Sequence, residues 1–394
     1  MHLLETFALS TGTKIDKPYI LEKFFPLGLK GDYITFQPFG KMESRKYEYW
    51  NEVTNILYPI LNANNINIVQ LGGPEEQNLD KCVPMNGQTT FNQMAYIINR
   101  GALHLGVDSL GVHVASGFGK KIVGLYCNMY TQNSRPYWSD DEDVILLEAD
   151  RKGNKPTFSG QESPKTINTI YPETIAESVC KLLGIEFSYP YKTLYIGENF
   201  SQKTFELIPN YPVDPSSYGF SSVIVRMDLE FNEQMLWQQL MISPCSIMTN
   251  KPIDVQKLLH FKKNIKEFVY LIDKNSNPDY VKALGSAGIK PLLMSFLDED
   301  DLNKYKLDYI DHGRILQRSN SSREDIKEIK NKKDDKLFYK SSRHYILGQQ
   351  LFWTKSPNFD SKPIKDENRY IPQPLKAGEN FWNDNSVYHI LEKA

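Results

Sequence analysis

The chain is poor in cysteine, with four in 394 residues, at positions 82, 127, 180 and 245. No two lie closer than 45 residues, which excludes a C-x-x-C metal or redox pattern. Scattered single thiols suit a reduced compartment, where each packs as a small buried apolar group. No apolar run approaches the roughly 18 residues needed to span a membrane. Met1-His2-Leu3-Leu4-Glu5 lacks the basic region and apolar stretch of a signal peptide. A cytoplasmic protein is therefore expected. Excess charge is also missing: 46 Lys+Arg against 48 Asp+Glu give a net −2. That excludes a wholly basic nucleic-acid coat and an acidic disordered chain.

Standard active-site fingerprints are missing as well. No G-x-G-x-x-G follows a strand-like run, which argues against a dehydrogenase. Gly117-Phe118-Gly119-Lys120 has the wrong spacing for a Walker loop, and no Ser or Thr follows it. There is no H-E-x-x-H, no G-x-S-x-G and no paired Cys/His set, so no metal site is expected.

What is present is length for two or three domains, a hydrophobic fraction of 40%, and many aromatics, with 23 Tyr and 20 Phe. Residues 1–30 show little regular pattern and read as an arm. From residue 32 strands and helices alternate. Strand-like runs fall at 33–36, 66–71, 102–107, 121–126 and 144–147. Helical patterns fall at 46–61, from a cap at Thr89 or Thr90 to 99, at 110–117 and at 173–183. Gly72-Gly73-Pro74 and Gly184 punctuate them. This alternation predicts a parallel, doubly wound α/β domain over 31–188. The run Ser-Tyr-Pro-Tyr-Lys at 188–192 reads as a hinge. A second α/β series follows over 189–313, with strands at 193–196, 222–226, 246–249, 268–272, 289–294 and 307–310 and a helix at 278–287. The remainder, 314–394, reads as an extension. Its first part, 314–365, holds 13 Lys+Arg and six Asp+Glu with aromatics interleaved.

The sharpest local feature is Val107-Asp108-Ser109-Leu110-Gly111-Val112-His113. A buried strand delivers Asp108 and Ser109 to its carboxyl end, where open α/β sheets bind ligands. A helix starts immediately after them, and its free N–H groups suit phosphate. Ser109 is placed to cap that helix or to donate to a phosphate oxygen. Asp108 suits ligand hydroxyls. His113 stands one turn on. The alternative for the string alone is a helix cap and a satisfied core histidine. A second loop, Gln37-Pro38-Phe39-Gly40-Lys41-Met42-Glu43-Ser44-Arg45-Lys46, brings three cations near a helix start. Cations there oppose the helix dipole unless an anion is held beside them; Lys46 reads as simply solvated.

With those loops in one domain, the first half resembles the C-terminal, donor-binding lobe of family nine glycosyltransferases, the ADP-heptose:lipopolysaccharide heptosyltransferases. Asp108-Ser109-Leu110-Gly111-Val112-His113-Val114-Ala115-Ser116 is similar to the family's D-[ST]-G-x-x-H-L-A-A-A. Ile68 to Glu76 resembles its strand and Gly-Gly-Pro turn, and Gly87-Gln88-Thr89-Thr90 its helix start. Ser44-Arg45-Lys46-Tyr47 resembles its phosphate-contacting K-r-W-p. The resemblance covers about residues 30–185.

It implies two Rossmann-like lobes with parallel sheets, the GT-B fold. It also implies transfer of a sugar from a nucleotide-diphosphate sugar to an acceptor hydroxyl, with inversion and with no obligatory metal or cofactor. Arg45, Ser44, Lys41, Gly72, Gly73, Asp108, Ser109, Gly111 and His113 would then form the donor site. Leu110 stands where the family has glycine. The order also departs, because the family puts its acceptor lobe first; a circularly permuted arrangement follows, with 189–313 as acceptor lobe. The family's base comes from the facing lobe, which points to Asp228, with Glu230 and Glu198 as rivals.

The acceptor is a glycan by family resemblance. The basic, aromatic 314–365 stretch, with Lys332, Lys333, Arg343 and Trp353, offers DNA bearing a hydroxylated base as an alternative. A solvated basic tail is the plainer account. A non-catalytic sugar-nucleotide or glycan-binding protein, or an epimerase or hydrolase, is a further alternative on the same fold.

Overall fold

The strands Leu103–Val107 and Lys121–Tyr126 are buried nearly throughout, which a parallel sheet covered on both faces requires. In a computed structural model the chain divides into two units, Met1–Pro190 and Tyr191–Ala394. The structure describes residues 1–318, 324–332, 334–353, 371–375, 381–382 and 385–394.

In the first unit, helix α1 (Leu3–Thr11) occupies part of the expected arm. Its start is capped by His2, whose ring accepts from Leu4 N–H while Glu5 reaches back to the His2 N–H. The sheet is built from β1 (Asp32–Gln37), β2 (Ile66–Gln70), β3 (Val83–Pro84), β4 (Leu103–Val107), β5 (Lys121–Tyr126) and β6 (Val144–Glu148). All neighbours pair parallel, in the order β3-β2-β1-β4-β5-β6. The order reverses between β1 and β4, and a crevice at such a reversal is where open α/β sheets bind ligands.

Helix α2 (Trp50–Ala63) lies on the Phe36 face, with the Trp50 ring edge-on to Phe36 at 4.9 Å. It begins four residues later than the sequence pattern suggests, because a 3-10 turn, Glu43–Arg45, precedes it. Helices α3 (Phe91–Arg100) and α4 (Leu110–Gly117) pack on the opposite face with Val69 and Ile122. A short helix α5 (Thr131–Ser134) follows β5, and α6 (Pro172–Leu183) packs beside α2. Pro172 opens α6 and Gly184, at φ 71°, closes it.

The second unit is α/β too but is wound differently. It contains β7 (Tyr191–Ile196), β8 (Thr204–Leu207), β9 (Ile224–Arg226), β10 (Cys245–Thr249), β11 (Ile265–Leu271), β12 (Leu292–Ser295) and β13 (Leu316–Gln317). From β8 to β13 each strand lies beside the next, all parallel. Helices α7 (Glu233–Ile242), α8 (Val255–His260) and α9 (Pro278–Ser286) share one core with Phe205, Val225, Ile247, Phe268 and Leu293.

The expected extension is no appendage. Strands β14 (Leu337–Ser341), β15 (Arg343–Leu347), β16 (Gln350–Phe352), β17 (Gln373–Pro374) and β18 (Tyr388–Lys393) belong to this unit's sheets. β15 runs parallel to β8, and β16 closes that sheet antiparallel. A second sheet has the order β17-β14-β18-β7 and is antiparallel throughout. One expected strand is corrected: 307–310 lies in a 3-10 helix, Lys306–His312, with Leu307 and Ile310 exposed and only Tyr309 buried. Three of the four free thiols are buried, and Cys82 is partly exposed. No helix among the described residues is long and apolar enough to cross a membrane.

Candidate functional site

The reversal between β1 and β4 brings Gln37 and Asp108 to one edge. Asp108 is buried and held from three sides. Its Oδ2 lies 3.0 Å from Arg45 Nη2 and accepts from Ser134 Oγ at 3.1 Å. Its Oδ1 faces His113 Nε2 at 3.6 Å, an ion pair whenever that imidazole is protonated. Arg45 also donates to the Asp108 carbonyl at 2.5 Å and to Asn128 Oδ1 at 3.2 Å. A buried carboxylate and a largely buried guanidinium thus neutralise each other where a ligand's charge and hydroxyls would arrive. His113 stays 37% exposed, at the open side of the pair.

Ser109 occupies the cap position of α4, but its side chain does not cap the helix. Gln37 does so instead, which corrects that expectation. Gln37 Oε1 accepts from Gly111 N–H at 2.8 Å and from Ser109 Oγ at 3.1 Å. Gly111 is needed for packing beneath this contact, since a Cβ there would fall on Gln37 Oε1 and His104 Nε2. His104 is fully buried, with Nδ1 2.9 Å from Thr35 Oγ1. Burial pushes its pKa down to about 3, so the ring is neutral.

Ser44 is buried and committed to structure. Its Oγ donates to Ser159 O at 3.0 Å, its N–H donates to Gly160 O at 3.0 Å, and its carbonyl faces Cys127 Sγ. It therefore fixes Arg45 rather than meeting a ligand itself. Lys41 is exposed on the loop before the 3-10 turn. Lys46 pairs with Glu43 at 2.8 Å, as a solvated cation would. The hydrogen bond from Lys165, with Lys46 adding to it, draws the Glu43 carboxyl down to about 2.

Gly72 and Gly73 follow β2. A Cβ at Gly72 would overlap Glu76 Oε2 and meet Asn86 Oδ1. Both oxygens are buried and lack a partner among the described residues. Burial raises the Glu76 pKa. Two acceptors facing one small space call for a donor such as a hydroxyl. Sequence reading overlooked Gln37, Glu76, Asn86 and Ser134. The strand-end position of Gln37 and the acidic pair after Gly-Gly-Pro were the available hints.

Other predicted residues lie in the second unit. Asp228 is clamped, accepting from Arg226 Nε at 2.7 Å and Nη2 at 2.6 Å. Both carboxylate oxygens are engaged by one guanidinium, so Asp228 is not the open carboxylate that the base assignment expects. Glu198 and Glu230 are exposed. The proposed nucleic-acid surface loses its anchors. Arg343 is 2% exposed, with Nε 2.8 Å from Glu206 Oε1. Trp353 is 1% exposed and donates to His344 Nε2 at 3.1 Å. Each lies inside the core that β14 to β18 complete, so neither reaches a phosphate or a base. Lys332 is held by Glu392 at 2.9 Å, and Lys333 lies outside the described residues.

Among solved structures, a family 9 glycosyltransferase from Veillonella parvula is 20% identical over 39% of this chain and 46% of its own, with a TM-score of 0.31. E. coli ADP-heptose lps heptosyltransferase II is 15% identical over 45% of this chain and 50% of its own, TM-score 0.31. E. coli heptosyltransferase WaaC with ADP is 15% identical over 45% and 54%, TM-score 0.30. The chain thus spans about half the length of the solved structures it resembles. No curated protein matches it. Residues 9–166, which include the whole Arg45–Asp108 edge, match the family model of glycosyltransferase family 9 (heptosyltransferase).

Proposed function

We propose that this chain is a glycosyltransferase whose first unit binds a nucleotide-diphosphate sugar at the β1/β4 reversal. The observation that carries the reading is the Arg45–Asp108 pair at that edge, inside the segment that matches the family model. An arriving diphosphate offers Arg45 two negative charges in place of one. As Arg45 turns toward it, Asp108 oxygens become free to accept from sugar hydroxyls. Lys41 adds charge at the rim, and Ser109 and the open N–H groups of α4 complete the phosphate cradle. His113 stands where it can bridge Asp108 and a phosphate oxygen. Glu76 and Asn86 accept from hydroxyls of the nucleoside, the donors their orphaned oxygens lack.

Transfer proceeds with inversion and stabilisation of the leaving diphosphate by Arg45 and N–H groups, without a metal. The acceptor is a glycan. The experiment is a thermal-shift screen of nucleoside diphosphates and nucleotide sugars on the full chain, followed by assay of nucleoside diphosphate release. A ligand at a hundred times its Kd adds about 2.7 kcal/mol to stability. One nucleotide series is expected to raise Tm, and Arg45→Gln to abolish the rise. A panel with no shift, or a shift untouched by Arg45→Gln, defeats the reading.

A further inference from the structure

Phe158 occupies an unfavourable position twice over. Its backbone lies in the left-handed region at φ 54°, where a bulky side chain crowds its own main chain. Its ring gains no burial in return, being 58% exposed. The surrounding contacts explain how it is held there. Phe158 N–H donates to Asn128 O at 2.9 Å. Ser159 O accepts from Ser44 Oγ at 3.0 Å and Asn128 Nδ2 at 2.8 Å. Gly160 O accepts from Ser44 N–H at 3.0 Å. Ser44 precedes Arg45, and Asn128 Oδ1 accepts from Arg45 Nε. The loop is therefore bolted to the same residues that position the Arg45–Asp108 pair.

The ring does not stand alone. Tyr130 meets it edge-on, with centroids 5.8 Å apart. Tyr130 follows Met129, whose sulfur lies 3.5 Å from Arg45 Nη2. Leu110, next to Ser109, is 51% exposed, and Met42, whose sulfur faces Asn128 Nδ2, is also exposed. A charged pair is thus rimmed by apolar side chains that remain open to solvent.

We propose that Phe158 and Tyr130 form a wall for the apolar C–H face of a pyranose ring whose hydroxyls reach Asp108. The proposal rests on the donor-lobe reading and deepens it. The C–H bonds on a sugar's flat face carry slight positive charge and suit the negative face of an aromatic ring. The acceptor-only carboxylate of Asp108 favours a polyhydroxylated ring on the other side. The ring belongs either to the donor sugar or to the acceptor, and experiment separates the two.

The test compares Phe158→Gly and Phe158→Tyr with the wild-type full chain. Glycine removes the ring and relieves the left-handed backbone, so its Tm should equal or exceed that of wild type. A binding loss then cannot be a folding loss. Calorimetry measures each nucleoside diphosphate against its matched nucleotide hexose. Saturation-transfer NMR measures methyl glucoside, mannoside and galactoside, with and without nucleoside diphosphate.

The glycine variant should lose about five- to tenfold in affinity in one of these two series. Nucleoside diphosphate affinity should stay unchanged, and tyrosine should restore the loss. A loss confined to nucleotide hexoses assigns the wall to the donor sugar; a loss confined to glycosides assigns it to the acceptor. A glycine variant that binds both as wild type does, or a wild type that contacts neither sugar, overturns the wall. Should no nucleotide bind wild type, the donor-lobe reading falls instead, and the glycoside series still decides the wall.

Discussion

Each unit places an arginine–carboxylate cluster at the carboxyl end of a parallel strand, and the two differ in their access to water. In the first, Arg45 and Asp108 pair at 3.0 Å beside the half-exposed His113, Leu110 and Phe158. In the second, Arg226 bridges Glu206 at 2.5 Å and Asp228 at 2.6 Å, and Arg343 closes the other side of Glu206. Arg226 is 1% exposed. Among the described residues the sealed cluster balances two cations against two acids, all with buried side chains. The open one balances a single pair. Similar residue types therefore make a sealed cluster in one unit and a more accessible pair in the other, and the burial of the guanidinium sets the difference.

The largest effect should come from breaking the sealed cluster. Arg226→Leu leaves Glu206 and Asp228 buried with one cation between them. Losing one partner of a buried pair costs about 3–5 kcal/mol. The second unit should melt far below the first, or fail to fold, as read by calorimetry with two transitions.

The matched neutralisations Asp108→Asn and Asp228→Asn sharpen the contrast next. Asp108→Asn should weaken nucleotide-sugar binding about tenfold or more, measured by titration, and should lower only the first transition, because Arg45 loses its partner. Asp228→Asn should lower the second transition and leave nucleotide affinity unchanged. The reverse pattern would refute the assignment of roles.

At neutral pH the smallest effect belongs to His104, whose contribution appears only in acid. Its folded pKa of about 3 lies below the ordinary value of about 6.5. The unfolded state therefore binds the extra proton first, and the first unit's stability falls as pH drops from about 6.5 towards 3. His104→Gln should flatten that slope by up to one proton while keeping a polar partner for Thr35. An unchanged slope would mean that His104 is not the titrating group.

The first unit was the more legible because its strands are continuous apolar runs broken by Gly and Pro. In the second, Thr204–Leu207 is short and carries Glu206, a residue that looks solvated until Arg226 and Arg343 arrive from distant strands. The apolar pair Leu307 and Ile310 suggested a strand, yet both face water. Within the site, Asp108, Ser109 and Arg45 were visible because motif and strand end coincide. Gln37 was not singled out, because its role is a contact across 72 residues of sequence. Arg343 and Trp353 misled for the same reason: composition reported charge and aromaticity, but only strand pairing reports which side faces in.

The position of Tyr388–Lys393 has a consequence for biosynthesis. That strand lies between β14 and β7, so an interior place in the sheet is filled by residues made almost 200 positions after its partner at 191–196. The first unit can close while translation continues. The second must wait, with β7 lacking β18 and β8 lacking β15. Contacts of such sequence separation form slowly and leave strand edges exposed in the meantime. Ribosome-bound chains halted near residue 330 should therefore hold a folded first unit and an unfinished, chaperone-dependent second one.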